Sequence, residues 1–301
     1  MTPTEVFFDK NGTLRSGLRL AIFGAGFIIV TMILGVLAYA AMLFLAEPQA
    51  GSAVSFFVSG VVSLAAAIVV GWLCGKYLEH IPFKALGASF VNGWIRHWLF
   101  GLLFGAVTLT LTAGIGVLSG GLTFRFSGEP ASSVGSTLLL SFIVFAAPAA
   151  FEEALFRGYA LQTFVRSNLS GFGVLLTALI FATVHNKNPS ANMISWLNTF
   201  VAGIWLGIAY LKVRDLWLPF GLHLAWNWSQ GSIFGMEVSG LTEIVQSPLL
   251  RETETGPAWL TGGSYGIEGG IVTAIALAVS TVAIYFLPIK NDSEELTPSE
   301  S

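Results

Sequence analysis

The sequence predicts an all-α fold, a polytopic integral membrane helix bundle of about eight transmembrane helices. Three observations carry that expectation. Of the 301 residues, 54% are hydrophobic and 10% charged, and the mean hydropathy is +0.75; a soluble chain carries about 25% charged residues. Apolar segments recur near 18–46, 52–75, 98–119, 136–156, 171–186, 194–212, 216–235 and 268–288, and a helix needs about 20 apolar residues to cross a bilayer. Inside these segments the strongly polar side chains are few, and they fall in pairs within the second half of the chain.

Taken in order, residues 1–17 form a polar segment of mixed charge that does not read as a cleavable leader, so the first apolar segment serves as an anchor. A single membrane domain over 18–288 follows, with the candidate chemistry within about 95–235. The first span is long enough to tilt. Residues 76–97 mix Tyr77, Phe83, Phe90 and Trp94 with Lys84 and Arg96, which predicts an interfacial amphipathic helix. His80 and His97 stand among those charges and read as solvated surface residues. The fourth span is expected to continue as helix to about Val165, and the fifth is short. Residues 236–268, rich in Gly, Ser and Thr with Glu237, Glu243, Glu252 and Glu254, read as an outer loop. The tail 289–301 is acidic and without periodicity, so it is expected to be disordered.

Lys and Arg set the orientation. With this layout, Lys10, Arg15, Arg19, Lys76, Lys84, Arg96, Arg157, Arg166, Lys212, Arg214 and Lys290 share one side, and Arg125, Lys187 and Arg251 the other. Eleven against three places both termini in the cytoplasm. The net charge of −3 and the absence of a basic patch or phosphate loop argue against nucleic acid. One cysteine, Cys74, allows no internal disulfide and no cysteine-based metal site.

The candidate site begins at Phe151 to Gly158, Phe-Glu-Glu-Ala-Leu-Phe-Arg-Gly. Charges at membrane depth are costly and usually functional. Glu153 and Arg157 stand four residues apart, a spacing that pairs side chains on a helix. Glu152, about 100° round the helix, is the carboxylate left over and a candidate general base. His185 ends the fifth segment, Asn198 lies in the sixth, and His223 and Asn227 share one face of the seventh. In a hairpin turning near residues 168–169, Glu152 and His185 reach matching height. His223 is closer to its own turn, so either the two hairpins are offset along the membrane normal or a boundary differs.

The ordered set Glu152-Glu153-x-x-x-Arg157, Phe181-x-x-x-His185 and His223-x-x-x-Asn227 resembles the CPBP family of intramembrane endopeptidases, also called the CAAX-protease and bacteriocin-processing or Abi family. The resemblance implies an intramembrane protease in which Glu152 activates water, His185 helps hold it, and His223 and Asn227 stabilise the oxyanion. Glu153 and Arg157 would then orient and neutralise the site, with Phe181 packed beneath His185. No cofactor is implied. Zinc held by Glu152, His185 and His223 is the competing reading, although the usual His-Glu-x-x-His helix is absent. The expected partners are a peptide or membrane-protein substrate and membrane lipid, in the plasma membrane of a prokaryotic cell. The alternative is a non-catalytic immunity or scaffold protein that binds a peptide through the same cavity. A proton-coupled transporter fits less well, because its polar groups would line a whole path rather than one cluster.

Overall fold

The computed structural model describes residues 6–9, 12–45, 52–90, 92–241 and 244–289. Ten helices can be followed in order. The first three are α1 (Ser16–Leu45), α2 (Ala53–Leu78) and α3 (Trp94–Leu118). The fourth helix, α4 (Ala131–Glu153), runs through a π-helical segment (Ala154–Ala160) into α5 (Leu161–Arg166). Then come α6 (Ser170–His185), α7 (Met193–Val213), α8 (Trp217–Trp228), the single turn α9 (Ala258–Thr261) and α10 (Ile271–Phe286). Two short strands, β1 (Leu122–Phe126) and β2 (Leu250–Glu254), pair antiparallel at one end of the bundle. With two isolated bridges, Phe8–Leu14 and Val238–Leu241, they are the departures from an all-α fold among the described residues.

The chain is a multi-pass membrane helix bundle. Five of the expected spans form helices long and apolar enough to cross: α1, α2, α3, the 36-residue run from Ala131 to Arg166, and α7. Helices α6 and α10 are apolar but have 16 residues each, and α8 with its π-helical continuation Ser229–Ile233 has 17. At about 1.5 Å per residue these stop short of a hydrocarbon core of about 30 Å. Helix length and composition thus support at least five spans.

Packing follows small residues. Helices α3 and α8 cross at backbone contact: a Cβ at Gly101 would stand 2.4 Å from the Leu218 carbonyl oxygen, and one at Gly221 would stand 2.4 Å from that of Trp98. Close approach of this kind supplies the van der Waals contact that holds helices together in lipid, where no hydrophobic gain is left. The largest core cluster lies behind this crossing and includes Leu109, Trp205, Leu206, Leu218, Leu222 and Leu277. Helix α7 starts at a capping box, in which Asn192 Oδ1 accepts from the Ile194 and Ser195 amides while Ser195 Oγ accepts from the Asn192 amide.

Helix α1 is the outermost. Ile29, Met32, Ile33, Val36 and Leu37 on it are well exposed, as befits a lipid-facing surface. One polar latch ties its first turns to the bundle. Glu79, just beyond α2, pairs with Arg19 of α1 and with Arg166 of α5 (2.7 Å), and Arg19 also donates to Ser167 (2.7 Å). Burial alone would raise the Glu79 carboxyl, but Arg166 and Arg19 outweigh it and hold it below 4.5. A carboxylate lowered on folding contributes stability that is complete above its unfolded value and is lost as pH falls through its folded value. Removing Glu79 leaves two guanidinium groups against each other, so Glu79→Ala is expected to cost about 3–5 kcal/mol. The check is thermal unfolding in detergent: the melting temperature should drop for Glu79→Ala, and the gap to wild type should narrow under acid.

Four expectations need correction here. Residues 76–97 do not form an amphipathic helix. Helix α2 ends at Leu78, Phe83–Leu86 make one 3-10 turn, and Pro82 with left-handed Gly87 and Gly93 break the rest. His97 is not solvated: it is fully buried and its Nδ1 pairs with Asp215, whose other oxygen caps α8 at the Trp217 amide (3.0 Å). His80 is exposed, as expected. Arg157, counted above among loop cations, is completely buried; ten against three leaves the charge argument unchanged. The region 236–268 is a folded cap rather than a plain loop, built from β2, α9 and short turns, with Met236, Val238, Tyr265 and Ile267 buried. The expected disordered tail lies outside the described residues except Ile289, which packs in the core. Residues 1–5, 10 and 11 of the segment 1–17 also lie outside them.

Candidate active site

The local sequence makes α4 irregular where the carboxylates sit. Pro148, one turn before Glu152, removes a helix hydrogen bond. The π-helical segment starts directly after Glu153, with Gly158 at a non-helical ψ of −108°. Such π segments concentrate at functional positions because they shift the register of side chains round the helix axis. Glu153 and Arg157 still meet. Arg157 donates to Glu153 Oε1 (2.9 Å) and to the Gly203 carbonyl (3.0 Å), and its guanidinium lies 4.9 Å from the Phe181 ring centre. Gly203 is accessible to Arg157 because α6 and α7 touch there; a Cβ on it would lie 2.8 Å from Ala178.

The two histidines complete the cluster. His223 Nδ1 donates to Glu153 Oε1 at 2.9 Å, which turns Nε2 towards Glu152 Oε2 at 3.6 Å. His185 Nδ1 donates to the Phe181 carbonyl at 2.8 Å, and its Nε2 stands 3.7 Å from the same Glu152 oxygen. Neither 3.6 nor 3.7 Å is a hydrogen bond. Glu152 Oε2 is thus buried with no partner among the described residues, while two ring nitrogens point at it. Phe181 stacks on His185 with ring centres 4.3 Å apart.

These side chains open into a cavity of about 390 Å³. Glu152, His185, His223 and Asn227 line it, and Glu153 and Arg157 lie behind its wall. The six predicted residues are therefore gathered at one place. The offset between hairpins is real. Gln162 donates to the Leu86 carbonyl while the Leu216 amide donates to Gly87, so α5 runs on past the level at which α8 begins.

Sequence reasoning missed part of the lining. Glu268 accepts from Trp226 Nε1 (3.0 Å) and from the Ser239 amide and hydroxyl (2.7 Å each), so it ties the cap to the residue next to Asn227. Trp226 is accordingly part of the cavity wall. Asn198 both lines the cavity and bridges segments, donating to the Glu268 and Gly270 carbonyls (2.7 and 2.8 Å). The available signal was Glu268 itself, an acid at the edge of the last apolar segment. No group of three His, Cys, Asp or Glu among the described residues has the geometry to hold a metal ion.

Fold and site together define a multi-pass helical membrane protein with a carboxylate–histidine cavity between its helices. Residues 134–229 match the family model described as type II CAAX prenyl endopeptidase Rce1-like. The match covers about a third of the chain and makes it similar to the Rce1-like, CAAX-type endopeptidases, a class of proteases. All six site residues fall inside the matched segment. No curated protein matches the chain.

Proposed function

We propose that the protein hydrolyses a peptide bond of a peptide or membrane-protein substrate by glutamate-activated water, without metal, in one membrane domain spanning 18–288. The observation that carries this is the unpartnered Glu152 oxygen facing two ring nitrogens inside a cavity. A neutral His185 whose Nδ1–H is engaged by Phe181 offers Nε2 as an acceptor. One water there gives a proton to Glu152 while its second hydrogen points to His185. Its oxygen attacks the peptide carbonyl carbon, the carbonyl π electrons move to oxygen, and the resulting oxyanion is held by the Asn227 amide and His223 Nε2–H. The C–N bond then breaks, and the proton on Glu152 passes to the leaving amine.

The charge balance supports these roles. Glu152, Glu153 and Arg157 together leave one negative charge, and His223 carrying both ring protons offsets it while keeping Nε2–H as a donor. Glu153 and Arg157 act by holding His223 and the helix, not by touching substrate. The plasma membrane of a prokaryotic cell, with both termini cytoplasmic, is part of the same reading.

The test compares peptide termini, quantitatively, in membranes from cells carrying the wild type or Glu152→Gln at equal abundance. Termini seen with the wild type alone, and unaffected by chelators, are the expected result. Loss of those termini on chelation with recovery on adding zinc would favour the metal reading. Identical termini across several growth conditions would sink proteolysis and favour the immunity or scaffold role.

A further inference from the structure

We infer that the catalytic cavity opens on the non-cytoplasmic side of the membrane, so that the substrates are peptide segments of exported or membrane-anchored proteins presented there. The inference rests on the protease reading for the word substrate, but not for the direction in which the cavity opens.

The contacts sort the charged residues to the two ends of the bundle. At one end, Glu79 joins Arg19 to Arg166, Asp215 joins His97, and Lys212 donates to the Tyr285 carbonyl. At the other, β1 pairs with β2, the Gly240 amide donates to the Tyr265 carbonyl, and Arg251 pairs with Glu129. Among the described residues the first end carries Arg15, Arg19, Lys76, Lys84, Arg96, Arg166, Lys212 and Arg214, and the second only Arg125, Lys187 and Arg251. The second end is also the acidic one, with Glu129, Glu237, Glu252, Glu254 and Glu268. Cytoplasmic loops hold the excess of Lys and Arg. The strand-bearing end is therefore outside.

The cavity belongs to that end. His185 is the last residue of α6, and the next two residues, Asn186 and Lys187, are exposed there. Asn188 of the same loop and Val238, Ser239, Leu241 and Glu268 of the cap line the cavity. Towards the basic end lies a separate cavity of about 200 Å³, lined by Phe83, Leu86, Leu216 and Trp217, which stops at Glu153. Glu153, Arg157, Phe156 and Phe181 are all buried beneath Glu152 and His185, and the Glu153–Arg157 pair closes that floor with side chains about 1% exposed or less. A peptide coming from the cytoplasm would have to displace a buried ion pair. One coming from outside meets a half-buried histidine.

Single cysteines decide the point. Asn186→Cys, Asn188→Cys and Lys84→Cys are placed singly in a Cys74→Ala background, or with the buried Cys74 kept should that background not accumulate. Intact cells are treated with a membrane-impermeant maleimide, then permeabilised. Labelling of Asn186→Cys and Asn188→Cys before permeabilisation, and of Lys84→Cys only after it, is expected. Any pattern in which Asn188→Cys is not labelled from outside overturns the inference. In the same cells, termini that depend on Glu152 should map to non-cytoplasmic segments. If they map to cytoplasmic ones, the inference falls and the protease reading stands. If labelling is outward and no such termini exist, the protease reading falls and the orientation stands.

Discussion

Glu152→Gln is expected to lower peptide turnover by purified protein by about 10²–10⁴-fold or more, the range that a general base contributes, with no loss of thermal stability. The amide keeps the size of the side chain but cannot take a proton from water. The reason for expecting an intact fold is local. Glu152 pairs with nothing at hydrogen-bond distance, and its side chain is 20% exposed at the cavity wall. A residue that holds no neighbour in place can be neutralised without releasing one. Retained turnover would remove Glu152 from the chemistry. A fall in melting temperature equal to that of a buried-pair variant would instead make it structural.

Arg157→Met is expected to lose about 3–5 kcal/mol of stability, because it strands the Glu153 carboxylate in the interior. Arg157 is fully buried and spans three partners at once: Glu153, the Gly203 carbonyl and the Phe181 ring. Lysine has neither the planar fork nor the second donor direction, so Arg157→Lys should recover only part of the loss. Combining Arg157→Met with Glu153→Gln should cost less than the sum of the two, since the second change removes the stranded charge. The readout is thermal unfolding in detergent. A melting temperature unchanged in Arg157→Met would show that the pair does not hold α4 to α6 and α7.

Much of this site was legible in the linear sequence. The spacing of Glu153 and Arg157 on a helix predicts their ion pair, and that of His223 and Asn227 predicts their shared face; both depend only on helix geometry. The excess carboxylate at Glu152 follows from counting charges in an apolar run. The roles of Phe181 and His185 came from resemblance, and the stacking between them is what a four-residue spacing allows.

Other features depend on chain segments that meet only after folding. Asp215 lies 118 residues from His97, and nothing near either marks the pair, which is why His97 reads as a surface residue until α3 packs on the turn before α8. The break in residues 76–97 illustrates a local conflict: the aromatic and basic pattern favours an amphipathic helix, but Pro82, Gly87 and Gly93 stop it.

By itself, the sequence determined the membrane class, the positions of the apolar segments, the ion pair at Glu153 and Arg157, and the excess of Lys and Arg at one end. Each of these follows from composition or from a periodicity of a few residues. Only the tertiary structure decided how many helices are long enough to cross, where α4 turns π-helical, and that His185 and His223 face one oxygen of Glu152. It also revealed the cap, tied to α7 and α8 through Asn198, Trp226 and Glu268. The physical reason is one of range. Helix periodicity is set by neighbours three and four residues apart, whereas the carboxylate–histidine cluster is made by side chains brought from three helices to within 4 Å, and that distance depends on small residues, kinks and offsets along the whole bundle.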